Sequence, residues 1–272
     1  MLERLKYQNH VGEVIDFGLD GVFVNASDLH NYEWKTTTRG NRISAFNHGV
    51  QTRTLPIVIM CKTEAEGIAK RNVLFETFEK DVLAVQHGKI IIGDYYFKCY
   101  VTKSVKSDYQ KSKQYMAVKL TLTTDFPYWV KESEKSYSTA AKTVDGLDYS
   151  FDYPFDYTMG ISTTSLNNPN FVASNFRLII FGQCNSPEII IAGHSYKVNC
   201  DVGANEYLTI DSTTKQIFTT KKDGTIVNNF NARDKTSYIF EKIPPGANDV
   251  AWSGDYSFDI VLLDERSEPA WT

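Results

Sequence analysis

From about residue 170 onward the chain is a succession of short apolar or alternating runs, broken by turn residues at intervals of roughly 8–12 positions. Phe176–Phe181 stops at Gly182, Ser186-Pro187 leads into Glu188–Ile191, and Ala192-Gly193 turns into His194–Cys200, which reads as one strand. Glu206–Ile210, Lys215–Thr219, Ser237–Phe240 and Tyr256–Leu263 complete the series, with turns at Asp211–Thr214 and Lys222-Asp223-Gly224. Runs of this length cannot bury themselves singly, and no helical period separates them. The arrangement that satisfies them is a two-sheet β-sandwich or jelly roll. No Cys/Trp/Cys spacing supports an immunoglobulin core.

The first half is also strand-rich. Gly21–Val24 and Leu55–Cys61 are apolar runs bounded by turn residues. Lys89–Ile92 and Tyr95–Val101 flank Gly93-Asp94, a two-residue hairpin signal, because glycine supplies the positive φ such turns need. In Tyr115–Thr123, the residues Met116, Val118, Leu120 and Leu122 share one face. The polar stretch Ser104–Gln114 is long for a hairpin tip and is expected to project. One segment departs from strand grammar. Thr63–Leu83 opens with a Thr-x-x-Glu capping box, and Ile68, Phe75, Phe78 and Val82 recur at helical spacing with Leu74 beside them. It predicts an amphipathic helix packed on a sheet.

Composition bounds the function. With 42% hydrophobic and 23% charged residues, the 272-residue chain is ordinary globular material, and its 13% aromatic content suits sheets. The net charge of -4 divides unevenly: residues 1–135 hold 19 Lys+Arg against 16 Asp+Glu, and residues 136–272 hold 10 against 17. The shift coincides with the polar stretch Lys131–Ala140, read as a connector with a boundary near residues 131–145. Two domains follow, 1–135 and 136–272. Neither is basic enough to predict nucleic-acid binding.

No run approaches the roughly 18 apolar residues of a membrane span, so no membrane insertion is expected. The opening Met1–Lys6 lacks the basic-then-apolar order of a secretory signal. Four scattered cysteines, Cys61, Cys99, Cys184 and Cys200, suit synthesis in a reducing cytoplasm. No Walker loop, dinucleotide fingerprint, nucleophile elbow or H-E-x-x-H pair occurs, and the five histidines lack zinc spacing. His194 and Cys200, on one face of the expected strand, are too few ligands for a site. Asp145, Asp148, Asp152 and Asp156 lack the glycine and terminal glutamate of an EF-hand. No catalysis, cofactor or metal is expected.

Several ordered segments resemble the distal tail (Dit) family of long non-contractile, siphovirus-type phages and prophages. In the second half these are Gly182 with Ser186-Pro187 and Ile189–Ile191, then Ile243–Asn248, Trp252–Gly254 and Arg266–Trp271. In the first half they are Gly40–Gly49 ahead of Arg53–Pro56, the helix end Glu79–Leu83, Tyr95–Tyr100 and Thr124–Trp129. The resemblance implies a mainly β, two-domain protein: a tail-tube-like β-sandwich with one α-helix, then a galectin-like/jelly-roll β-sandwich. It also implies six copies closed into a ring at the virion tail tip, made in the bacterial host cytoplasm. Such a ring joins the tail-tube protein to the tail-tip protein and to receptor-binding or baseplate proteins, leaving a channel for DNA.

A ring of identical subunits needs two different matching patches on each copy. Lys103, Lys106, Lys111 and Lys113 are expected on the Ser104–Gln114 excursion, facing either acidic partner surfaces or solvent. The run Asp148–Tyr157 repeats Phe-Asp-Tyr, and its Tyr149, Asp152, Tyr153, Asp156 and Tyr157 combine sugar-stacking rings with hydroxyl acceptors. A second reading therefore makes the chain an adhesion module for host wall glycan, while the alternative packs this arm between domains or against a neighbouring subunit. The pair Asp152/Asp156, set in a Pro-containing arm, carries no sign of a glycosidase separation. Trp252 and Trp271 are expected to fill the end of the second sandwich.

Overall fold

The computed structural model describes residues 4–19, 21–25, 27–106, 112–139 and 162–270. It is mainly β, and among the described residues it has a single α-helix. The chain divides into two compact units, Met1–Lys131 with Glu265–Thr272, and Glu132–Asp264.

The first unit contains β1 (Leu5–Gln8), β2 (Val14–Phe17), β3 (Val22–Val24), β4 (Lys35–Arg39), β5 (Arg42–Asn47), β6 (Gln51–Met60), α1 (Glu64–Ala84), β7 (Gly88–Ile92), β8 (Tyr95–Lys106) and β9 (Tyr115–Thr124). Strands run β2-β1-β7-β8 in one sheet and β3-β6-β9-β8 in the other. β8 serves both: Tyr95–Cys99 pairs with β7, and Tyr100–Lys106 pairs with β9. The register shifts between Val101 and Lys103, a bulge that turns the strand from one sheet to the next. Alternation then fixes the core. Leu55, Ile57 and Ile59 of β6 face inward opposite Leu120, Val118 and Met116 of β9, and all six are buried.

Thr63 caps α1 through its side chain and the reciprocal Glu66 contact, as the capping box predicts. The expected face is buried in part: Leu74 and Phe78 lie in the core and Phe75 packs against it, but the two outer positions do not. Gly67, Leu74, Thr77, Phe78 and Asp81 are buried, whereas Ile68 and Val82 are exposed. The cause is a carboxylate in the core. Asp81 is fully buried and accepts hydrogen bonds from the Tyr7 hydroxyl and, at 2.8 Å, from the His10 backbone N–H. His10 Nδ1 lies 2.5 Å from the same carboxylate. The network ties the helix to β1 and to the β1–β2 turn, with Tyr7 also edge-on to Phe78 at 4.8 Å. Gly88 makes room for it, since a Cβ there would sit 2.3 Å from both the Asp81 carboxylate and the Tyr7 hydroxyl.

β10 (Trp129–Tyr137) pairs with β8 through Trp129–Lys131 and continues into the second unit. The polar stretch expected as a connector is therefore strand as far as Tyr137. The second unit adds β11 (Ser162–Asn168), β12 (Asn175–Phe181), β13 (Cys184–Asn185), β14 (Glu188–Ile191), β15 (His194–Lys197), β16 (Asp201–Val202), β17 (Tyr207–Asp211), β18 (Gln216–Thr220), β19 (Ile226–Asn228), β20 (Gly246–Trp252) and β21 (Ser257–Arg266). One sheet runs β19-β18-β17-β12-β21-β10 and the other β11-β20-β14-β15. Phe176, Leu178, Ile210 and Phe258 from the first meet Leu166, Ile189, Val250 and Trp252 from the second in one core. This is a β-sandwich.

Two expectations fail here. Ser237–Phe240 is a turn, and β15 ends at Lys197, so His194 and Cys200 do not share a strand. The Trp252 expectation holds: the ring is buried and its indole N–H donates to the Tyr256 carbonyl at 3.1 Å. Trp271 lies outside the described residues. Ile243–Asn248 is held by buried amides. Asn168 donates to the carbonyls of Ile243 (2.9 Å) and Pro244 (3.1 Å), and Asn248 donates to that of Pro244 at 2.9 Å. β21 then carries the chain back to the first unit, where Glu268 lies 3.6 Å from His30.

Asp81→Ala strands buried donors and is expected to cost about 2–3 kcal/mol in urea denaturation. Burial first, then the bond to Asp81, raises the Tyr7 pKa above its ordinary value. Burial raises those of Tyr196 and Tyr256 likewise. Raised folded-state pKa values leave stability intact below about pH 10, the unfolded tyrosine value, and erode it above, where only the unfolded chain ionises. The urea midpoint should therefore hold up to about pH 9 and fall beyond about pH 10, less steeply in Tyr7→Phe.

Candidate assembly surfaces

The β4–β5 hairpin is exposed along its whole length. Gly40 (φ 61) and Asn41 form its turn, with positive φ at the first central position only, the pattern of a II′ turn. Every residue of both strands is exposed, Ile43 by 56% and Phe46 by 61%, and neither belongs to a core cluster. A two-stranded hairpin is marginal by itself in water. Its strands carry Lys35, Arg39 and Arg42 and no acidic residue.

The base of this arm is fixed. The rings of Trp34 and His48 lie 3.8 Å apart, and His48 meets Tyr128 edge-on at 4.9 Å. The Glu33 carbonyl sits 2.8 Å from His48 Nδ1 and accepts from the Gln51 amide, also at 2.8 Å. Next to it, Arg53 is buried with its guanidinium 4.2 Å from the centre of the Phe97 ring, and burial lowers its pKa to about 10. A rigid root with a bare tip is the geometry of a reaching arm. Sequence reading passed over this element, although Gly40-Asn41 between Thr-rich and Ile/Phe-containing runs is a hairpin signal.

A second exposed surface lies along the outer side of α1 and its end, where Val73, Leu83 and Val85 are open to solvent beside Glu76 and Glu79. β2 and β3 end the two sheets of this unit and expose Val14 and Phe23. Open strand ends of this kind offer main-chain hydrogen bonds to another chain.

The lysines expected on a projecting excursion are placed otherwise. Lys103 and Lys106 lie within β8, so the strand consumes the start of that excursion. Lys103 follows the bulge and is exposed; Lys106 Nζ stands 4.2 Å over the ring of Phe75 on α1. Lys113 Nζ is 3.6 Å from Glu64 on the same helix. Residues 112–115 are bound to the helix as well, with Arg71 donating to the carbonyls of Ser112 (2.9 Å) and Tyr115 (3.0 Å). The structure thus brings Lys106 and Lys113 to α1 of their own chain. Lys111 lies outside the described residues, as do Asp145, Asp148, Tyr149, Asp152, Tyr153, Asp156 and Tyr157.

Among the described residues no group of three His, Cys, Asp or Glu side chains is arranged to hold a metal ion, and no helix is long and apolar enough to cross a membrane. Burial raises the thiol pKa of Cys99 to about 12 and that of Cys184 to about 11, away from nucleophilic duty.

Similarity to solved structures runs along the whole chain. It matches the SPP1 Dit (gp 19.1) protein, described as a paradigm of the hub adsorption apparatus in phages infecting Gram-positive bacteria, with a TM-score of 0.60 over 97% of this chain and 99% of that one. It matches a chain of the phage P2 baseplate, activated with Ca, with a TM-score of 0.65 over 99% of this chain and 100% of that one. The chain has the Dit fold. A P2 baseplate activated with Sr gives the same TM-score, and identity is 12% in all three cases. No protein-family profile matches the chain, and no curated protein is similar to it in sequence. The Dit resemblance read in the sequence is matched by the fold.

The placement of Lys106 yields a test. Lys106→Ala removes a cation–π contact and should lower the stability of the isolated chain by about 0.5–1 kcal/mol. An unchanged denaturation midpoint in the monomer would show that the contact with Phe75 adds nothing to stability.

Proposed function

We propose that this protein is a structural hub of a phage tail tip. Copies of it, six by the family resemblance, close head-to-tail into a ring between the tail-tube protein on one side and the tail-tip, receptor-binding and baseplate proteins on the other. The ring's centre passes DNA, and the hub works by shape, without a reaction of its own. The observation that carries this reading is the match over essentially the full length to a hub protein and to baseplate chains. The exposed β4–β5 arm supports it, because a heterologous ring needs an element that leaves its own subunit and a different surface to receive it. The basic arm suits the acidic flank of α1 on the next copy.

Light scattering on the purified chain checks the reading. The expected species is a multiple of the 30.9 kDa subunit, about 185 kDa for six copies, with a central hole in negative-stain images. Replacing residues 36–46 with Asn-Gly joins Lys35 to Asn47, which face each other at the root of the hairpin. That variant should keep the melting temperature of the monomer and lose the ring. A wild-type chain that stays monomeric at every concentration, or that turns over a substrate, would sink the proposal.

A further inference from the structure

The second unit carries an open cleft of about 620 Å³, bordered by the β17–β18 turn and the segment from Phe230 to Phe240. That is within the size range of small-ligand clefts. Its chemistry differs from that of its surroundings. The half of the chain from residue 136 holds 10 Lys+Arg against 17 Asp+Glu, yet Lys215, Arg233 and Lys235 converge here on a single acid, Asp234. None of the three cations forms an ion pair among the described residues. Lys215 Nζ stands 5.5 Å from the ring centre of Tyr238 and 5.3 Å from that of Phe240, and the Arg233 guanidinium lies 4.1 Å from that of Phe230. Phe240 is buried, while Tyr238 is 56% exposed and presents its ring to solvent.

The site is held in shape before any ligand arrives. His194 Nε2 lies 2.9 Å from the Tyr238 carbonyl, Ser237 donates to the Ser195 carbonyl at 2.7 Å, and the Tyr196 hydroxyl donates to the Glu241 carbonyl at 2.8 Å. Asp234 is fixed by the Thr236 hydroxyl at 2.6 Å and backbone N–H at 3.2 Å. From these features we infer that the cleft binds an anion-bearing saccharide. The Tyr238 face stacks on the C–H surface of one sugar, Lys215 and Lys235 take its carboxylate or phosphate, and Asp234 accepts a hydroxyl. A nucleic-acid strand fits less well. It wants successive open ring platforms and a basic track, whereas this cleft offers one open ring in an acidic half.

Calorimetric titration of the full chain tests the assignment with trigalacturonate as the uronate source and a phosphorylated maltotriose as the phosphate source. Neutral maltotriose, inorganic phosphate and a short oligothymidylate serve as controls. At least one anionic trisaccharide should bind, and the three controls should bind at least about tenfold more weakly. Tyr238→Ala, Lys235→Gln and Lys215→Asn, the last chosen because asparagine tolerates the positive φ of 58 at that turn, should each weaken binding about tenfold with the melting temperature unchanged. Which of the two anionic sugars binds identifies the source of the anion. The inference is overturned if neither binds, if inorganic phosphate or the neutral sugar binds as tightly, if the oligonucleotide is preferred, or if all three variants bind like wild type. The readout does not depend on ring formation.

Discussion

A carboxylate with no access to water organises the first unit. Asp81 is worth its burial only because the Tyr7 hydroxyl, the His10 amide and the His10 ring all converge on it. Each donor sits on β1 or the turn after it, so satisfying the carboxylate sets both the rotation of α1 and its distance from the sheet. The rotation explains why Thr77 and Asp81 face inward while Ile68 and Val82 face out. The close approach explains Gly88, where any side chain would enter the network. Gly67 serves the same end at the other extremity of the helix, since a Cβ there would lie 2.0 Å from the Lys113 carbonyl.

Where local pattern and packing agree, the sequence was readable. The capping box fixed the start of α1, Gly93-Asp94 marked the β7–β8 hairpin, and the alternation Met116, Val118, Leu120, Leu122 named the buried face of β9. Reading failed where tertiary partners decide. The polar residues Lys131–Tyr137 form a strand because β8 and β21 supply their ladder, which side-chain propensity does not reveal. Ser237–Phe240 looks like a strand in composition but is a turn, and side chains of β15 meet the carbonyls of Tyr238 within it and of Glu241 just after it. On the helix, Leu74, Phe75 and Phe78 were read correctly, but Ile68 and Val82 were not, because hydrophobic period cannot announce a buried aspartate whose donors lie 71 and 74 residues away.

The candidate surfaces were less legible than the core for the same reason. Arm strands with no inward face have no hydrophobic alternation to read, so β4 and β5 left only their turn as a signal. The lysines stood out by charge, but charge does not say whether a cation meets its own chain or another. Lys106 and Lys113 meet α1. The cleft around Tyr238 was invisible for a related reason: its members come from a strand turn and a later irregular segment, and only folding brings Lys215 to Arg233 and Lys235.

One covalent fact has a consequence for synthesis. The second unit is a single uninterrupted stretch, Glu132–Asp264, whereas the first is split by it and takes in Glu265–Thr272 as well as Met1–Lys131. On the ribosome the later-made sandwich can therefore close while the earlier-made one still waits for its tail, an inversion of the usual vectorial order in which domains mature. Until Glu265 and the residues after it emerge, the nascent first unit lacks that segment, so the arm-bearing half of the molecule is completed after the second sandwich rather than before it.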